Sequence, residues 1–139
     1  PVSRRADMET LISLVTLGVA DVDRAVDFYR ELGFPVDRWG DAAFFELDGA
    51  WLSVFPREAL ATDAVVDAGQ TGFDGVTLAH NVASRAAVDR VLDELVAAGG
   101  QMTRPARETD WGGYSGYVAD PDGHLWEVAY NPHADLTDG

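Results

Sequence analysis

The chain has 139 residues and contains neither cysteine nor lysine. Without cysteine there are no disulfides, no thiolate metal ligands and no thiol nucleophiles, and the composition leans toward a cytoplasmic location. All 10 basic residues are arginine, set against 24 acidic ones, for a net charge of −14. So acidic a surface lacks the basic stripe that nucleic acid or an anionic membrane needs, and it permits attraction of a cationic ligand. No apolar run is long enough to span a bilayer, and residues 1–5 show no apolar core of a secretory leader.

What is present is a substantial interior. Hydrophobic residues make up 47% of the chain and include four tryptophans, enough for one packed domain or two small halves sharing a core. Residues 11–19 are apolar and β-branched and predict a strand buried on both faces. Asp21 is placed to cap a helix, whose Val22, Ala25, Val26, Tyr29 and Leu32 recur at helical spacing before Gly33 ends it. Strands are expected over 34–39, 42–47 and 50–55, the last two joined by the Asp48-Gly49 hairpin signal. Residues 57–72 are polar and aperiodic and read as a linker, with at most a helical turn at 58–61.

The pattern then repeats. A strand over 76–82 precedes the N-cap Ser84 and an amphipathic helix ending at Gly99-Gly100. A short strand at 101–104 follows, with Pro105 marking an edge, and a hairpin of strands at 114–119 and 124–131 closes the series. Its turn, Asp120-Pro121-Asp122-Gly123, has the residues of a type I turn: proline presets φ, aspartate bonds the backbone, and glycine accepts a positive φ. The reading is therefore α+β: two βαβββ modules, 10–56 and 73–132, joined by the 57–72 linker, with curved mixed sheets around a cavity and helices on the outer faces.

Val19 to Phe34 (VADVDRAVDFYRELGF) and Asp120 to Pro132 (DPDGHLWEVAYNP) carry a resemblance to the vicinal-oxygen-chelate superfamily, which includes glyoxalase I, bleomycin-resistance proteins and extradiol dioxygenases. The resemblance covers residues 10–132 and implies a homodimer that binds a small molecule. In metal-using members it implies four inward-facing ligand positions, which fall here at Leu14, Ser53, Thr77 and Glu127. Only Glu127 is a donor of the usual type, so no metal site and no cofactor are expected, and a divalent metal is disfavoured. His80 could contribute only through a shift in register, since strict alternation turns it toward the helix or the rim. His124 is expected at the surface after its turn, and His133 in the tail.

Alternation places Leu14, Thr16 and Gly18 on the cavity side, with Trp51, Ser53 and Phe55, Thr77 and Asn81, and Glu127. That describes either an aromatic pocket with one acid or a sheet face filled by its own side chains. Trp111 to Tyr117 interleaves three glycines with three aromatics; it suits a loop whose backbone approaches a ligand closely, with Trp111 and Tyr114 available to stack on it, or a bulged edge strand. The leading expectation is a small-molecule binder with a degenerate metal site, sequestering a drug or catalysing without metal through Glu127, its ligand cationic or aromatic. A metal-dependent lyase, isomerase or dioxygenase, and a non-enzymatic interaction domain, are the alternatives.

Overall fold

The computed structural model describes residues 8–69 and 72–133. Residues 1–5, read above for a leader, and part of the 57–72 linker lie outside that description. The first half runs β1 (Leu14–Val19), α1 (Val22–Glu31), β2 (Asp37–Trp39), β3 (Ala42–Phe45) and β4 (Trp51–Pro56). After α2 (Arg57–Ala64), the second half runs β5 (Thr77–Val82), α3 (Arg85–Ala97), β6 (Gln101–Glu108), β7 (Tyr114–Ala119) and β8 (Leu125–Tyr130). The fold is α+β, with two four-stranded mixed sheets ordered β1-β4-β3-β2 and β5-β8-β7-β6. In each sheet the first strand pairs in parallel with the last, and the remaining pairs are antiparallel.

Local chemistry accounts for the elements. The Asp21 carboxylate accepts from the Arg24 amide and the Ser84 hydroxyl from the Ala87 amide, so each long helix begins at a side-chain cap. Both helices bury a stripe: Ala25, Val26, Phe28 and Tyr29 in α1, and Val88, Leu92 and Leu95 in α3. These join Phe45, Leu52 and Val54 of the first sheet and Val118 and Val128 of the second in one continuous core. Full burial of rings such as Phe28, Tyr29 and Phe45 contributes roughly 2–3 kcal/mol each.

Several sequence expectations change. β1 begins at Leu14, and it is not buried on both faces: Leu14 is 40% exposed, while Leu11 and Ile12 lie outside the strand in solvent. The linker contains α2, an eight-residue helix rather than a single turn, which packs on β1 and β4. β6 continues through Pro105 to Glu108, because it is the edge strand and its register shifts on either side of Arg104, so the missing proline N–H interrupts no ladder.

The glycines of the aromatic stretch serve the fold. A β-carbon at Gly116 would lie 2.7 Å from Leu92 Cδ1 and 2.9 Å from the Ala106 amide nitrogen, so this glycine admits α3 and β6, not a ligand. The close approach expected there is to the chain itself.

The turn at 120–123 closes as its residues require. The Gly123 amide donates to the Asp120 carbonyl at 2.9 Å with φ of 87° at Gly123, and Asp120 Oδ1 accepts from the amides of Asp122 and His124. The turn also clasps the first half. Tyr29 donates its hydroxyl proton to Asp120 Oδ2 at 2.6 Å and accepts from the Trp126 indole N–H. Asp122 Oδ1 accepts from the Ala20 amide and the Arg24 guanidinium. His124 is half-buried, not in solvent as expected, because its Nε2 donates to the Gly18 carbonyl at 2.8 Å.

Candidate functional site

Gly116 lies under Leu92, so Tyr114, Gly116 and Val118 face α3. Their partners on β8, Tyr130, Val128 and Trp126, share that side, as do Leu78, His80 and Val82 on β5. The reverse face, open and away from α3, then carries Ser115 and Tyr117, Glu127 and Ala129, and Thr77, Ala79 and Asn81. In the first sheet the register sets Leu14 beside Trp51, Thr16 beside Ser53, and Gly18 beside Phe55.

Glu127 is half-buried, with Tyr117 directly across on one side and Ala79 on the other. Beyond Tyr117 in the same row stands Arg104 of β6. Its guanidinium lies 5.1 Å from the Tyr117 ring centroid and donates to the Ser115 carbonyl at 3.0 Å and to Ser115 Oγ at 2.9 Å. Ser115 is fully buried, so the arginine is fixed both by a ring face and by two hydrogen bonds. Among the described residues Arg104 makes no ion pair. Arg104, Tyr117 and Glu127 thus form a row across the open face: cation, ring, acid.

Sequence reasoning found Glu127 and missed the other two. Ser115 and Tyr117 alternate with Gly116 and stand opposite β8, so their side was readable from period two. Arg104 was not, because β6 was expected to end there and its bulges break the alternation.

The remaining candidates divide. Thr16 and Ser53 are joined by a 2.8 Å hydroxyl–hydroxyl bond, with Ser53 buried. Thr77 and Asn81 share the open face with Glu127, and Trp51, half in solvent, lies on that side of the first sheet. Phe55 is half-buried opposite Gly18. Tyr114 does not join them: it faces α3, and its hydroxyl donates to Asp89 at 2.9 Å, which raises its pKa. Trp111 is exposed in the preceding turn, its ring lying over Gly113. His80 faces the α3 side, away from Glu127, and His133 Nε2 lies against Gly112.

The residues do not fit the divalent metal that the resemblance implies. Leu14 has no lone pair to give, and the Ser53 hydroxyl is buried and engaged by Thr16. Thr77 offers only a neutral hydroxyl, which leaves Glu127 as a single carboxylate. No group of three or more His, Cys, Asp or Glu that could hold a metal ion occurs among the described residues.

Two βαβββ halves, each with a parallel first-to-last strand pair and a long helix packed on one face of its sheet, define a glyoxalase-type fold. The chain belongs to the Glyoxalase/Bleomycin resistance protein/Dioxygenase superfamily, whose model matches residues 11–128. A glyoxalase-related enzyme from Fulvimarina pelagi is 37% identical, with a TM-score of 0.84 over 94% of this chain and 96% of that one. Lactoylglutathione lyase GLX1 of Arabidopsis thaliana is 28% identical over 118 residues, 82% of this chain but only 42% of the plant protein. Metallothiol transferase FosB of Shouchella clausii is 28% identical over 120 residues, 84% of this chain and 77% of the transferase.

Proposed function

We propose that the chain binds a small organic molecule on the open face of the second sheet, with Glu127 as the acid that meets it and without a divalent metal. The observation that carries this reading is the donor set: one carboxylate in four positions, with a second position closed by the Thr16–Ser53 bond. The Arg104–Tyr117–Glu127 row supports it, since a fixed guanidinium and a carboxylate flanking a ring suit a ligand that presents an acceptor to one end and a donor to the other. Drug sequestration and proton transfer at Glu127 are both uses of such a site.

Metal analysis of the purified protein with and without EDTA tests the reading. Less than a tenth of an equivalent of divalent metal per chain, as an order-of-magnitude threshold, is expected in both samples. A stoichiometric ion removed by EDTA and missing from Glu127→Gln overturns it.

The same reading includes a homodimer. Leu11, Ile12, Leu14 and Trp51 are exposed around one depression, and Trp39 extends the patch through Phe44 and Trp51. A second copy covering it removes a contiguous apolar surface from water. Among the described residues no helix is long and apolar enough to cross a membrane. A cytoplasmic setting accords with the cysteine-free composition.

A further inference from the structure

The two halves correspond residue by residue. Leu14 stands beside Trp51 as Thr77 stands beside Leu125, and the caps Asp21 and Ser84 hold the amides of Arg24 and Ala87. Asp48 therefore corresponds to Asp122, Ala50 to His124, Ala87 to Arg24 and Leu92 to Tyr29.

The correspondence exposes a difference between the two junctions of the halves. At one, the 120–124 turn is bound to the end of β1 and to α1 through Ala20, Arg24, Tyr29 and Gly18. At the other, the 46–50 turn faces the end of β5, and no hydrogen bond crosses among the described residues. The acids of the first clasp, Asp120 and Asp122, are matched there by Glu46 and Asp48, but Arg24, Tyr29 and His124 are replaced by Ala87, Leu92 and Ala50. A cleft of about 820 Å³ lies in that place, with Val15, Phe34, Leu52, Leu78 and Trp126 among its lining and Asp48 and His80 as its charged or ionisable members.

We propose that this open junction binds a small organic cation with a flat apolar body. Asp48 makes no ion pair among the described residues. The ammonium or guanidinium of the ligand supplies to Asp48 what Arg24 supplies to Asp122 at the closed junction, a charged N–H donor at 2.9 Å. The body lies on Phe34, Leu78 and Trp126. The indole N–H of Trp126 is already given to Tyr29, so the tryptophan offers its ring rather than its polar edge. The volume falls within the range of small-molecule sites, and the net charge of −14 draws cations to the surface. The cleft wraps the edge of β5: Leu78, His80 and Trp126 line it from the α3 side and Ala79 and Asn81 from the open face, while Glu127 is not part of its lining.

Titration calorimetry of the full chain with tryptamine, and with its neutral analogue indole-3-ethanol, tests the inference. Tryptamine is expected to bind about tenfold more tightly than the alcohol, as one charge-assisted hydrogen bond allows. That preference should vanish in Asp48→Asn, an exposed turn position where asparagine is well tolerated, and persist in Glu127→Gln. Absence of tryptamine binding at millimolar concentration, or a preference that survives Asp48→Asn, overturns the inference. A preference lost only in Glu127→Gln also overturns it, and leaves the reading of the open face standing.

Discussion

Tyr29 is the residue on which the two halves most depend. It is fully buried, donates to Asp120, accepts from Trp126, and stacks against Phe34 while meeting Phe28 edge-on. Burial first, and then the charge of Asp120 and the bond to it, hold its phenol well above the ordinary value of 10.0. Because the folded state favours the neutral phenol, its contribution to stability is complete below pH 10 or so and declines as pH rises above that toward the folded-state value. Urea midpoints measured between about pH 9 and 11 should fall for the wild type and fall less for Tyr29→Phe. The same variant at pH 7 leaves Asp120 Oδ2 and the Trp126 indole without their partner and should cost about 2 kcal/mol. A Tyr114→Phe control separates the second raised tyrosine, whose phenol is held up first by its hydrogen bond to Asp89 and then by partial burial.

At the scale of elements, Gly116 and the open face make complementary demands. Gly116→Ala places a methyl group against Leu92 and the β6 backbone, and should lower stability by about 1–3 kcal/mol in chemical denaturation. Of the four positions that the resemblance implies for a metal, only Glu127 carries a donor of the usual type. Leu14→His, Ser53→Glu and Thr77→His together should give a protein that takes up a divalent ion measurable by elemental analysis, and failure would show that these positions do not converge on Glu127.

Much of this was legible in the sequence for definite reasons. Asp21 and Ser84 announced the helices because a cap is a local bond, and the 120–123 turn announced itself because proline and glycine restrict φ within four residues. Arg104 was hidden because a bulge is set by the neighbouring strand, and the inward role of His124 because its acceptor, Gly18, lies across the other half. Alternation set Glu127 on the face opposite Trp126 and Val128 without revealing what stands next to it.

For the molecule as a whole, charge and the exposed apolar patch act in opposite directions. Net repulsion at −14 opposes self-association, while the surface around Trp51 favours it. If the proposed dimer forms through this patch, Trp51→Glu should give a monomer at micromolar concentration in light scattering, and added salt should strengthen self-association of the wild type. The clasp at the 120–124 turn has a further consequence. Each half is a continuous piece of chain, and the bonds between them join residues 91 to 106 positions apart, crossing the linker without using it. The covalent link through residues 57–76 is therefore dispensable in principle. Two polypeptides divided there, expressed together, should find one another and restore the whole, with Tyr29 and Asp120 acting as the recognition pair between separate gene products.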